Sequence, residues 1–121
     1  MKPMINVKRV YEKPSAADGV RILVDRLWPR GIAKEDERAA LWAKELAPST
    51  ELRKWFNHSV PLWGDFEKRY KAELKKNAAV EGFLEEHRHD KLITLLYGAK
   101  DMEHNHALVL KAYLDECFVK K

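Results

Sequence analysis

The sequence predicts an α/β fold: a small sandwich with a short, mostly parallel sheet of about three or more strands flanked by helices, in a single domain over 1–121. Three observations carry this expectation. The run at 20–25 is β-branched and mostly apolar, and the run at 92–97 does not alternate with polar residues, as a strand covered on both faces would read. Helical spacings fill the interval between those runs, and parallel neighbours need such a crossover. A chain of 121 residues with 45% apolar and 10% aromatic content also has material for one packed core.

The elements follow in order. Ile5, Val7 and Val10 form a first β-like run, interrupted by Lys8 and Arg9. Asp18-Gly19 signals a turn before the second strand, Val20 to Asp25. Trp28-Pro29-Arg30-Gly31 ends that strand, since proline cannot extend a ladder. A first helix is expected over Glu35–Glu45, with acidic residues in its first turn. A second starts at Pro48-Ser49, with Ser49 as N-cap and Leu52, Trp55 and Phe56 on one face. A third begins at Pro61, carries Trp63, Phe66, Tyr70 and Leu74 at helical spacing, and stops near Asn77. Val80, Phe83, Leu84 and His87 mark a short fourth. Leu92–Tyr97 is the third strand, closed by Gly98, and a last helix runs from about Met102 to Val119. Strands two and three should pair in parallel across the crossover.

Charge is unevenly placed. Eight basic and three acidic side chains stand in residues 1–34, fifteen and sixteen in the remainder. A uniformly basic nucleic-acid coat is thereby excluded. If strands two and three are parallel, the loops after them share the sheet edge where α/β proteins bind ligands. That edge gathers Arg26, Arg30, Lys34 and Lys100, and receives the N-terminus of the last helix, whose free N–H groups favour anions. Arginine forks bind phosphate or carboxylate in bidentate fashion. The expected ligand is therefore a small anion, contacted by Arg26, Trp28, Arg30, Lys100, Asp101 and Asn105. A fastening role, with Arg26 paired to Asp25 or Asp101, is the structural alternative. Lys2, Lys8, Lys13 and Arg21 read as scattered solvent charges. Taken together instead, Lys2, Lys8, Arg9 and Arg21 would form the basic face of a nucleic-acid or regulatory module, the rival reading.

The candidates for proton transfer are His58, His106 and Asp101. His58 also reads as a helix C-cap, His106 as a hydrogen-bonded core histidine, and Asp101 as a cap of the last helix. Cys117 falls on the apolar stripe of that helix and reads as core rather than nucleophile. The pairs His87/His89 and His104/His106 sit about 200° apart on a helix, so no metal is expected. Phosphate-loop and dinucleotide fingerprints are missing, and no cofactor is expected. Trp42, Trp55 and Trp63 fall on helical stripes and read as core, whereas Trp28 reads as a ligand wall. No apolar run reaches the roughly 20 residues of a membrane span. One cysteine and the lack of a secretory signal suit a cytoplasmic protein.

Several long segments carry a resemblance. Val24–Gly31 (VDRLWPRG), Trp42–Ser49 (WAKELAPS), Leu52–His58 (LRKWFNH), Leu95–Asp101 (LLYGAKD) and Asn105–Ala107 (NHA) closely resemble the YeaO-like proteins of the bacterial family called domain of unknown function 488. The resemblance spans nearly the whole chain. It implies a Rossmann-like α/β fold and no established activity. Some branches of that family carry Cys-His-Arg after the last strand. Asn105-His106-Ala107 stands there instead, so cysteine chemistry does not transfer.

Overall fold

The computed structural model describes residues 2–33 and 41–120. Four parallel strands, β1 (Met4–Arg9), β2 (Val20–Leu23), β3 (Leu41–Trp42) and β4 (Leu92–Tyr97), form one sheet in the order β1-β4-β2-β3. The helices are α1 (Thr50–Phe56), α2 (Trp63–Lys75), α3 (Ala79–His87) and α4 (His106–Lys120). This is the expected small Rossmann-like α/β arrangement, and β2 and β4 are parallel neighbours as predicted.

Pleating divides β4 between two cores. Ile93, Leu95 and Tyr97 join Ile5, Ile22 and Val24 in a large cluster to which all four helices contribute. Leu96 points the other way and meets Val10, Leu23 and Ile32, with Trp28 and Trp42 against them. A polar cluster lies on the same face. The Asp18 carboxylate accepts from Lys8 Nζ at 3.0 Å and the Ser15 amide at 2.9 Å, and pairs with Arg21. Thr94 Oγ1 donates to the Asp18 carbonyl at 2.7 Å. Burial raises the Asp18 carboxyl's pKa, but the hydrogen bonds from Lys8, Ser15 and Arg21 outweigh it, and the net position lies below the ordinary aspartate value. Gly19, at φ +64°, follows directly; a Cβ there would stand 2.3 Å from the Leu92 carbonyl oxygen. Only glycine fits both the left-handed backbone and that approach.

On the helical side, Ser49 Oγ accepts from the Leu52 amide at 3.1 Å, the predicted N-cap, and donates to Glu73 Oε2 at 2.6 Å. The cap thus also docks α1 on α2. Tyr70 is fully buried and donates to the Leu46 carbonyl at 2.5 Å. Burial pushes its phenol well above the usual tyrosine pKa, so it stays a donor.

Three expectations need correction. The helix predicted over 35–45 lies outside the described residues up to 40, as does Lys34; over 41–45 the chain is not α-helical. Leu41 and Trp42 pair with Ile22 and Leu23, Ala43 N–H donates to the Leu23 carbonyl, and Lys44–Leu46 makes one 3₁₀ turn. Pairing with β2 sets the backbone at 41–42, and Trp42 packs on the second face rather than along a helical stripe. The last helix starts at His106, not near Met102, because Asp101 Oδ1 captures the Glu103 and His104 amides and holds 102–104 in bends. Finally, Lys8 and Arg21 are not solvent charges: Arg21 is buried, and both meet Asp18.

Candidate functional site

Because the sheet is parallel, β1, β2 and β4 deliver their C-terminal ends to one edge. A cleft of about 330 Å³ opens there, between the loop after β2, the loop after β4, the start of α4 and the far side of α1. The loop after β2 supplies Asp25, Arg26, Leu27, Trp28 and Pro29; α1 and its end supply Arg53, Phe56 and His58. From the β4 side come Gly98, Ala99, His104, Asn105 and His106, with Tyr11 and Phe66 completing the wall.

Asp25 fixes the centre. Its Oδ2 accepts from the Gly98 amide at 2.8 Å, and a Cβ on Gly98 would lie 3.0 Å from that oxygen. Its backbone carbonyl accepts from Trp42 Nε1 at 2.8 Å. The other carboxylate oxygen, Oδ1, is buried and has no hydrogen-bond partner among the described residues. It nevertheless lies 3.2 Å from His106 Nε2. That nitrogen is 2.9 Å from the Val24 carbonyl, which can only accept, so Nε2 carries a proton aimed at Val24. His106 is thus oriented from behind, with a carboxylate beside its N–H.

Arg26 donates through Nε to the Pro48 carbonyl at 3.0 Å and through Nη2 to the Ala47 carbonyl at 3.3 Å. It ties the loop after β2 to the segment before α1, a fastening role on backbone carbonyls rather than on Asp25 or Asp101. Trp28 donates to the Ile32 carbonyl at 2.6 Å and meets Trp42 edge-on, with centroids 5.1 Å apart. Its ring is therefore rigid where it borders the cleft.

The structure brings Arg26, Trp28, Asn105, His58 and His106 to this cleft. Arg30, Lys100 and Asp101 are not among its lining residues. Arg30 is exposed, and its carbonyl accepts from Tyr11 Oη at 3.0 Å. Lys100 is exposed as well. Asp101 organises the turn: the Glu103 amide lowers its carboxyl below the ordinary range, burial opposes this, and the His104 amide and ring lower it further. Asn105 is buried and donates to the Asp101 carbonyl at 3.1 Å, while its Oδ1 accepts from the Leu108 amide. It is the cap of α4. Asn57, at φ +43°, closes α1 in the left-handed conformation, leaving His58 exposed just beyond it. Cys117 is half-buried against the main core. Among the described residues no group of three or more His, Cys, Asp or Glu side chains is placed to hold a metal ion. None of the described helices is long and apolar enough to cross a membrane.

Sequence alone does not single out Arg53, His104, Phe56 or Phe66 as cleft residues. They lie on helices and turns that read as ordinary amphipathic structure, and only the docking of α1 beside the strand ends gives them a common space. The one local signal is Asn57, a residue that tolerates the left-handed turn carrying His58 to the cleft.

These features define a small Rossmann-like α/β protein with a cleft at its strand ends, lined among the described residues by no serine, threonine, cysteine or lysine. The chain belongs to the DUF488 family: the family model described as "Inactive DUF488-N3 subclade" matches residues 4–121. It is 47% identical over 110 residues to uncharacterized protein YeaO of Escherichia coli K12, covering 91% of this chain and 96% of that one. Uncharacterized protein Rv3073c of Mycobacterium tuberculosis H37Rv is 39% identical over 111 residues, covering 92% and 93%. No solved structure matches.

Proposed function

We propose that the cleft binds a small anionic ligand, a phosphate or carboxylate. The observation that supports this best is the lining itself. Arg26, Arg53 and His58 border one cleft, and no hydroxymethyl, thiol or amine nucleophile borders it among the described residues. A guanidinium has five N–H donors, and Arg26 directs two at carbonyls, so it is positioned with donors to spare. Asn105 and His106 present polar groups at the start of α4, and Trp28 is the wall. Arg30, Lys100 and Asp101 act outside direct contact in this reading: the two cations add positive potential along the edge, and Asp101 holds the turn.

The nucleic-acid reading draws on Lys2, Lys8, Arg9 and Arg21. Lys8 and Arg21 meet Asp18, and Arg9 donates to the Ala99 carbonyl at 2.9 Å. Those contacts favour the cleft reading.

Calorimetric titration with inorganic phosphate and with acetate tests it. The unaltered chain should bind at least one of them, and Arg53→Ala, on an exposed helical face, should weaken that binding about tenfold with its circular dichroism unchanged. Affinity in Arg53→Ala and Arg26→Lys equal to that of the unaltered chain, or no binding of either anion to the unaltered chain, would sink the proposal.

A further inference from the structure

We infer that the ligand of this cleft is a planar aromatic or heteroaromatic ring carrying an anionic group, an inference that rests on the anion reading above and adds the ligand's body to it. Two guanidinium groups border the cleft. Arg53 lies on α1, and the Arg26 guanidinium is tied to the carbonyls of Ala47 and Pro48, immediately before α1. A free phosphate or carboxylate would need only these. Rings border the cleft as well. Phe56 and Phe66 stack at 4.4 Å between centroids, and Trp28 stands on the β2 side. Trp28 is held on two sides, by its bond to Ile32 and its edge contact with Trp42, so a ligand ring meets a surface whose ordering is already complete. Leu27, 60% exposed, extends the apolar wall to the mouth. The volume, about 330 Å³, is at the lower end of the roughly 300–1,000 Å³ usual for small-molecule clefts, enough for one ring system with its charged group.

The test is a calorimetric panel on the unaltered chain: adenosine 5′-monophosphate against ribose 5-phosphate and adenosine, and indole-3-acetate against acetate and indole, with inorganic phosphate alongside. At least one ring-bearing anion should bind tenfold or more tighter than both of its fragments, and Trp28→Leu should remove that advantage while leaving the fragment anion's affinity in place. If ribose 5-phosphate and acetate match their ring-bearing counterparts, the ring is irrelevant and this inference fails while the anion reading stands. Adenosine and indole binding as tightly as the anions would overturn both, as would no binding by any anion.

Discussion

The Asp18 cluster gives the sharpest stability prediction. Asp18→Asn keeps the side chain's shape but removes the charge that faces Lys8 and Arg21. Their side chains are 21% and 6% exposed and Asp18's is 8%, so the cluster is largely withdrawn from water. Removing one partner of a buried ion pair costs about 3–5 kcal/mol, because the remaining charge keeps its desolvation penalty. Lys8 retains some solvent, which places the expected loss near the lower bound, about 3 kcal/mol. Against a typical total of roughly 5–15 kcal/mol, that is a large fraction. The native carboxyl titrates below its unfolded value of about 3.9, so its contribution is complete above that pH and disappears as pH falls through the native pKa. Urea unfolding at pH 7 and near pH 2.5 measures both effects. The gap between the unaltered chain and Asp18→Asn should be wide at pH 7 and shrink in acid. A gap under about 0.5 kcal/mol at pH 7, the size of an ordinary surface change, would refute the reasoning, and so would a gap that widened in acid.

Three further outcomes follow from single contacts. Gly19→Ala places a Cβ 2.3 Å from the Leu92 carbonyl at φ +64°, so urea unfolding should show a loss of at least about 2 kcal/mol, strain and clash together. Tyr70→Phe removes the donor to the Leu46 carbonyl and should cost about 1–2 kcal/mol by the same measurement. Gly98→Ala pushes against Asp25 Oδ2 from 3.0 Å and should weaken anion binding several-fold in calorimetry while changing the unfolding midpoint little.

What could be read from the sequence was whatever local chemistry decides. The unbroken apolar run of β4 identified a central strand because no solvent face is left to encode. Ser49 identified its helix start because a cap needs only its own neighbours. Leu41-Trp42 could not be read this way: two residues at a sheet edge have no period, and their pairing with Ile22 and Leu23 is a long-range fact. The start of α4 was displaced by a competing local bond, since Asp101 caps its own turn before Asn105 caps the helix. At the cleft, Arg26, Trp28 and Asn105 were legible because they follow strands. Arg53 and Phe66 were not, because their position depends on how α1 and α2 dock.

The positive charge of the N-terminal third has a structural use that bears on binding. Four of its basic side chains hold chain segments together from within. Lys8 and Arg21 meet Asp18; Arg9 donates to the carbonyl of Ala99, after β4; Arg26 donates to Ala47 and Pro48, before α1. Ala47, Pro48 and Ala99 all border the cleft. Asp25 adds a third clamp by accepting from Gly98. Two arginines and an aspartate therefore fix three walls of one cleft. Walls fixed before a ligand arrives reduce the ordering cost of binding, which otherwise amounts to about 0.5–1.5 kcal/mol for each flexible side chain immobilised. In the proposed reading Arg26 serves both purposes: the carbonyls that anchor it also hold its remaining donors in place. Its replacement should consequently reduce stability and affinity together, whereas Arg53→Ala, on an exposed helical face, should reduce affinity alone. That contrast between two arginines of one cleft separates a built binding site from a merely fastened loop.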